Sequence, residues 1–265
     1  MEDVETPSRN RAPAGTQAIL RAINLLKAFS TDRPELSLAQ LHAASGLTKP
    51  TAHRLLCALQ SEGFVERSGP QGSFRLGPAL VALGSQAMLT SDLRAAVHPT
   101  LKDLARQTGE TTTLEVLVDD SMLILDAVKG SHLVTGSLGI GTRWPVHATS
   151  TGKSILAAIP EESIEAVVGT SLERYTDRTV TDPARLFSEL EVIRTRGYSA
   201  VLEELELDFV AVAASFNDAY GNVEGAISVG GPASRFTPEV VQALGESLLL
   251  AAKQLSTRHQ ARPTR

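Results

Sequence analysis

Two groups of residues in this chain have the types and spacing for chemistry. The first is Thr149-Ser150-Thr151-Gly152-Lys153-Ser154. It ends like the phosphate-cradling loop G-x-x-x-x-G-K-[ST], in which backbone N–H groups and the lysine hold phosphates. The first glycine of that pattern falls on His147, and Trp144-Pro145-Val146 makes a poor buried strand. Nucleotide hydrolysis is therefore disfavoured. What remains is a run of small hydroxyl residues with a glycine opening a helix, whose free N–H groups can receive an anion such as a carboxylate. The second group is Lys49, Thr51, His53 and Arg54, polar and basic residues gathered where a helix begins. Such residues hold DNA phosphates and read base edges.

Other signals for catalysis are poor. There is no G-x-S-x-G elbow for a nucleophilic serine. His98, His132 and His147 lack metal-ligand spacing, and Gly136, Gly139 and Gly141 lack the dinucleotide fingerprint. Glu203 and Glu204 could serve as acid and base, but a solvated or capping role is preferred. The expectation is a protein that is not an enzyme, with no metal and no cofactor. The rival reading is a hydrolase or transferase that uses the Lys153 region, with the N-terminal part as a dimerisation module.

The elements that position the basic group are well marked. Ile19, Ala22, Ile23, Leu26 and Phe29 have helical spacing within Thr16–Ser30. Ser37 and Gln40 form a capping box, with Leu36 and Leu41 as a hydrophobic staple, so a helix starts at Leu38 and ends at Ser45-Gly46. Thr48 can cap the next helix, and Pro50 sits in its first turn, where a missing N–H does no harm. Ala52, Leu55, Leu56 and Leu59 form its apolar face, and Gly63 stops it. Phe64–Arg67 and Ser73–Leu76 alternate around Gly69-Pro70-Gln71-Gly72, a hairpin.

Two short helices with a basic second member, followed by a hairpin, follow the plan of a winged helix-turn-helix, although the helices alone would also suit a bundle. The expected DNA contacts are Ser37, Lys49, Thr51, His53, Arg54, Arg67 and Ser68. For His53, packing against the turn is an equal alternative.

Beyond the hairpin, Pro78–Ser91 reads as an apolar helix buried against something, a partner subunit being one candidate, and Leu93–Thr108 as an amphipathic one. The period then changes. Residues 111–118 and 121–130 form a β-hairpin at Asp119-Asp120. Helices follow around Glu161–Val168 and Pro183–Arg196. Phe209–Phe216 and Val223–Val229 are strands joined at Ala219–Asn222, and Thr237–Leu255 is a closing helix. Strands that pair mostly by hairpins imply an α+β domain with an antiparallel sheet.

With 265 residues, 42% of them hydrophobic and 21% charged, the chain has room for one large core or two modest ones. A net charge of −5 does not decide on DNA, because a phosphate-binding face needs only local positive charge. The single cysteine, Cys57, excludes an intramolecular disulfide. The first residues lack the apolar core of a secretory signal, and no apolar run is long enough to span a bilayer. A cytoplasmic protein with polar tails is expected.

The segments LSLAQLHAASGLTKPTAHRLLCALQSEGFVER, FRLGPALVALG, PVHATSTGKSILA, RGYSAVLEE and GAISVGGPASR together resemble the IclR-type transcriptional regulators. The resemblance runs from about Thr16 to Thr257. It implies a winged helix-turn-helix fused to a GAF-like effector domain. Such a protein would act as a homodimer or homotetramer on a palindromic double-stranded DNA operator, with affinity controlled by a small molecule.

The implied layout is a tail at 1–15, the DNA-binding domain at 16–77, a linker helix at 78–92, the effector domain at 93–257 and a tail at 258–265. The implied effector contacts are Ser150, Thr151, Val201, Ala211, Ser228 and Gly230. Val201 falls where an acidic residue can stand, and Gly230 where a second serine can. Asp208 and Ser215 replace a usual glycine and proline. Apolar Val201 and Ala211 would suit an aromatic or aliphatic carboxylic acid larger than two or three carbons.

Overall fold

The computed structural model describes residue 13 and residues 15–30, 33–69, 72–132 and 139–260. Most of the proposed N-terminal tail, the tip of the hairpin turn, Gly136 and the last residues of the proposed C-terminal tail lie outside them. The chain forms two compact units, one ending at Thr90 and one beginning at Ser91.

In the first unit, α1 (Gln17–Lys27), α2 (Leu38–Ser45) and α3 (Lys49–Ser61) pack around Leu25, Phe29, Leu41, Ala52 and Leu56. The capping box is formed: Ser37 Oγ accepts from Gln40 N, and Gln40 Oε1 accepts from Ser37 N at 2.9 Å. A cap of this kind is worth roughly 1 kcal/mol. Gly46 takes the left-handed conformation (φ 65°) that ends α2. Thr48 stands at the N-cap of α3 but makes no capping bond; its hydroxyl pairs with that of Thr51 at 2.9 Å.

The wing is β2 (Val65–Ser68) and β3 (Ser73–Leu76). A short strand that the sequence pattern does not announce, β1 (Glu35–Leu36), extends it on the β3 side. Helix α4 (Pro78–Leu89) follows.

One expectation fails in this unit. Ile19 and Ile23, expected on the packed face of α1, are exposed, and Leu25 is buried instead. Within the single chain helix α4 buries none of its residues, and Val81, Leu83 and Leu89 are exposed; its expected burial against a partner subunit is a matter for the assembly.

The second unit has three layers. Its sheet is antiparallel, with β6 (Arg143–Pro145), β5 (Ser121–Val128), β4 (Thr111–Val118), β9 (Val223–Pro232), β8 (Phe209–Asn217) and β7 (Ser199–Leu202) in that spatial order. One face packs on α5 (Asp92–Thr108) and α9 (Pro238–Gln260) through Val97, Leu101, Leu248 and Leu255. The other carries α6 (Ser150–Ala158), α7 (Glu161–Val168) and α8 (Pro183–Arg196), held by Ile155, Leu156, Ile164 and Leu190.

The period-2 alternation of each strand sorts the layers. Val210, Val212, Ala214 and Phe216 join the α5/α9 core, so Ala211 and Ala213 point the opposite way. Strand β7 had no separate expectation, and α9 continues three residues into the segment read as a tail. Among the described residues, no helix is long and apolar enough to cross a membrane.

Candidate DNA-binding surface and ligand cavity

The first unit places Lys49, His53 and Arg54 on the exposed side of α3, opposite buried Ala52 and Leu56. Thr51 is half-buried. In the wing, Arg67 is exposed and its guanidinium lies 5.0 Å from the Phe74 ring centre, a cation–π contact that fixes its direction. Two of the expected contacts are engaged within the unit: Ser37 in its cap, and Ser68, which donates to Glu35 on β1. His53 lies within 3.8 Å of Cys57 Sγ, an exposed free thiol one turn along α3.

The second unit contains a cavity of about 50 Å³. All six residues expected to contact an effector line it: Ser150, Thr151, Val201, Ala211, Ser228 and Gly230. The pairing register brings them together. Val201 lies opposite Ala211, Ala211 opposite Gly230, and Gly230 opposite Thr111, so one row of side chains crosses β7, β8, β9 and β4. In the next row Ser228 faces Thr113, their hydroxyls 2.7 Å apart. Helix α6 brings Ser150 and Thr151 over these rows. Its N-cap is Thr149, which accepts from Gly152 N, and Ser199 on β7 donates to Ser150 O at 2.5 Å.

Sequence reasoning missed the most polar member of the lining, Glu115. Its signal was an acidic residue in the middle of the strand TTTLEVLV, on the same face as Thr111 and Thr113. Glu115 is buried; Oε1 accepts from Thr113 at 2.8 Å and Oε2 from Thr151 at 2.6 Å. Burial pushes its carboxyl above the usual range, against the pull of these two hydroxyls. Trp144, Leu205 and Phe209 complete the apolar wall that sequence reasoning did not assign. Among the described residues, Glu115 is the only ionisable side chain in the lining.

The phosphate-loop likeness dissolves in the structure. Lys153 is buried, with Nζ 2.6 Å from Glu189 Oε2 and 2.5 Å from Glu204 Oε1. A Cβ on Gly152 would lie 2.0 Å from Val146 O, so that glycine is required for the first turn of α6 to pack on its approach segment. Glu203 and Glu204 are neither solvated nor caps: Glu203 pairs with Arg178 and accepts from Asp208 N, while Glu204 pairs with Lys153 and accepts from Val180 N. Each of the three histidines has a partner of its own: His98 with Asp126, His132 with Glu110, and His147 with the Glu173 carbonyl. Among the described residues no cluster of His, Cys, Asp or Glu could hold a metal.

A winged helix-turn-helix unit, followed by a separate sheet unit with an apolar cavity, defines the class of ligand-responsive DNA-binding regulators. Family comparison makes the assignment specific. The model of the IclR helix-turn-helix domain matches residues 18–69, and that of the bacterial transcriptional regulator IclR C-terminal domain matches residues 85–257. The transcriptional repressor IclR of Escherichia coli is 34% identical over 255 residues, covering 94% of this chain and 93% of its own.

Among solved structures, the Thermotoga maritima IclR superposes with a TM-score of 0.67 at 27% identity, covering 91% of this chain and 98% of its own. An IclR homologue from Microbacterium hydrocarbonoxydans, complexed with 4-hydroxybenzoate, gives 0.71 at 27% identity, covering 91% and 99%. The chain belongs to the IclR family of transcriptional regulators, which are not enzymes, and has a helix-turn-helix DNA-binding domain and an effector-binding domain.

Proposed function

We propose that this regulator binds a palindromic double-stranded operator through α3 and the wing, and that an organic molecule in the sheet cavity sets its affinity for that operator. Lys49, Thr51, His53 and Arg54 enter the major groove, with Arg67 and Ser68 meeting phosphate or the minor groove. Ser37 adds a contact from the start of α2. The effector binds differently to two arrangements of its domain and so shifts operator affinity.

The observation that carries this reading is the convergence of Ser150, Thr151, Val201, Ala211, Ser228 and Gly230 on one cavity. The apolar wall of Trp144, Leu205 and Phe209 supports an aromatic or aliphatic organic acid as effector. The complex of the Microbacterium relative with 4-hydroxybenzoate points the same way. The exposed Ile19, Leu20 and Ile23 of α1 and Val81, Leu83 and Leu89 of α4 support a homodimer or homotetramer that covers them. The protein would work in the cytoplasm, where operator DNA is available.

Calorimetric titration with a panel of organic acids, paired with gel shifts on the upstream intergenic DNA, tests the reading. An acid that binds and also moves the gel-shift midpoint supports it. Binding restricted to two- and three-carbon acids rejects the larger-acid assignment.

A further inference from the structure

Among the described residues, the lining of the sheet cavity holds one carboxyl group and no lysine, arginine or histidine. That carboxyl is Glu115, buried, with Thr113 and Thr151 donating to its two oxygens. The charged groups of the surrounding elements are turned elsewhere. On α6, Lys153 is taken by Glu189 and Glu204. On β5, Asp126 is held by His98 and Arg94 of α5. On β6, Arg143 donates to Val118 O and Ser121. On β9, Glu224 is half-buried and outside the lining, and β8 carries no charged residue. Burial raises the acidity constant of Glu115 and its two hydroxyl partners lower it, with no contribution from a neighbouring charge.

An acid effector brings a second carboxyl into this lining. Two carboxyl groups sharing a buried site do not both stay ionised; one is pushed strongly towards its protonated form. The backbone N–H groups at the head of α6 do not offset this. A helix N-terminus amounts to roughly half an elementary charge, against two full negative charges. The Thr151 hydroxyl at that end already serves Glu115. A protonated Glu115, by contrast, has an O–H to donate to a carboxylate.

We infer that the cavity admits an organic acid only together with one proton, shared between the effector's carboxyl and Glu115, so that the regulator's hold on its effector weakens as the pH rises. The inference rests on the reading of this cavity as an organic-acid site, and it does not depend on the size of the acid. Glu115 is then a specificity-determining residue that discriminates by charge. While Glu115 is protonated in the empty cavity, the acid binds at full strength. Once the pH exceeds the pKa of Glu115 in the empty cavity, the proton must be drawn from solvent, and affinity falls about tenfold per pH unit. A neutral ligand of the same shape needs no proton.

Two matched pairs of probes test the inference by calorimetry between pH 6 and pH 9: propionate against propionamide, and benzoate against benzamide. Both acids are ionised throughout this range, since a free carboxyl titrates near pH 4. Each probe is titrated into the full chain and into Glu115→Gln, in two buffers of different ionisation enthalpy, which counts the protons taken up. In the native chain, affinity for at least one acid should fall tenfold or more across the range, with uptake approaching about one proton per acid bound at the upper end. Its amide should bind with neither effect. In Glu115→Gln, affinity for the acid should be flat with pH, without proton uptake, and tighter than native at pH 9.

An acid affinity that is flat with pH in the native chain overturns the inference while the cavity stands as an acid site. So does an amide affinity that falls in step with the acid, or a pH dependence that survives Glu115→Gln. Acids that bind Glu115→Gln alone would show that Glu115 keeps its charge and shares no proton, which also overturns it. If neither acid binds either chain at any pH, the organic-acid reading fails and this inference with it. Near-native circular dichroism shows that Glu115→Gln is folded; if it is not, the proton count on the native chain, acid against amide, decides.

Discussion

Lys153 and Glu204 form a buried ion pair, Nζ to Oε1 2.5 Å, that ties the head of α6 to the turn between β7 and β8. The turn needs an anchor, because Glu203 and Asp208 both take positive φ near 60°, a region that non-glycine residues enter at a cost. Lys153→Met removes the cation and leaves Glu204 buried without it. Breaking one side of a buried pair costs about 3–5 kcal/mol, so urea unfolding should show a loss of that size. Adding Glu204→Gln to the same chain should recover part of it. A single variant with native stability would show that the pair holds nothing.

The stability of the second unit should depend on Glu115 with an unusual sign. Burial raises its pKa in the folded state above that of the unfolded chain, which lies near 4.3. Below that value both states are protonated and there is no penalty. As pH rises through the unfolded and then the folded pKa, the unfolded state sheds its proton first and folding is progressively disfavoured. Glu115→Gln should therefore raise the Tm at neutral pH, and the gain should fade as the pH drops towards 4. A gain that is constant with pH, or a loss at neutral pH, contradicts this assignment.

The cavity residues were legible to different degrees for physical reasons. Capping chemistry is local, so Ser37, Gln40 and Gly46 announced α2 to the residue. Register is not local: that Val201, Ala211, Gly230 and Thr111 share a row depends on pairing strands β4 and β9, which lie far apart in the chain. Family resemblance located Val201, Ala211 and Gly230, though not Thr111, where spacing could not. Glu115 escaped both routes, because a lone acid on an alternating strand reads as an edge position, and only the fold shows it buried under α6. Helix α4 shows a different limit. Its apolar composition implied burial, but within the single chain none of its side chains is fully buried, and composition does not say which molecule covers a face.

Gly230 and Phe209 set the width of the cavity together. A Cβ at position 230 would stand 2.7 Å from Cζ of Phe209, so a side chain there must push the ring aside. Gly230→Ser should destabilise the unit by about 1–3 kcal/mol, the usual range for overpacking. It should also weaken 4-hydroxybenzoate more than 4-hydroxybutyrate if either binds, since the displaced ring narrows the space for a flat ligand. Combining it with Phe209→Ala should relieve the strain. Chemical unfolding of the three variants checks this, and a Gly230→Ser chain as stable as the native one would mean that the ring moves freely.

On α3, Lys49 and Arg54 should fail differently when removed. Lys49 stands at the first residue of the helix, exposed, with Pro50 behind it; a lone ammonium at that end suits a phosphate, which carries no sequence information. Arg54 lies a turn further along the exposed side, where its planar fork can span two acceptors of a guanine. Lys49→Ala should weaken operator and unrelated DNA alike, and it should reduce the slope of log affinity against log salt by about 1. Arg54→Ala should cost about 1–3 kcal/mol on the operator, with a smaller loss on unrelated DNA. Gel shifts at several salt concentrations, on the footprinted operator and on a scrambled duplex, separate the two. Equal losses on both duplexes for Arg54→Ala would make it a phosphate contact, and an unchanged midpoint would remove it from the interface.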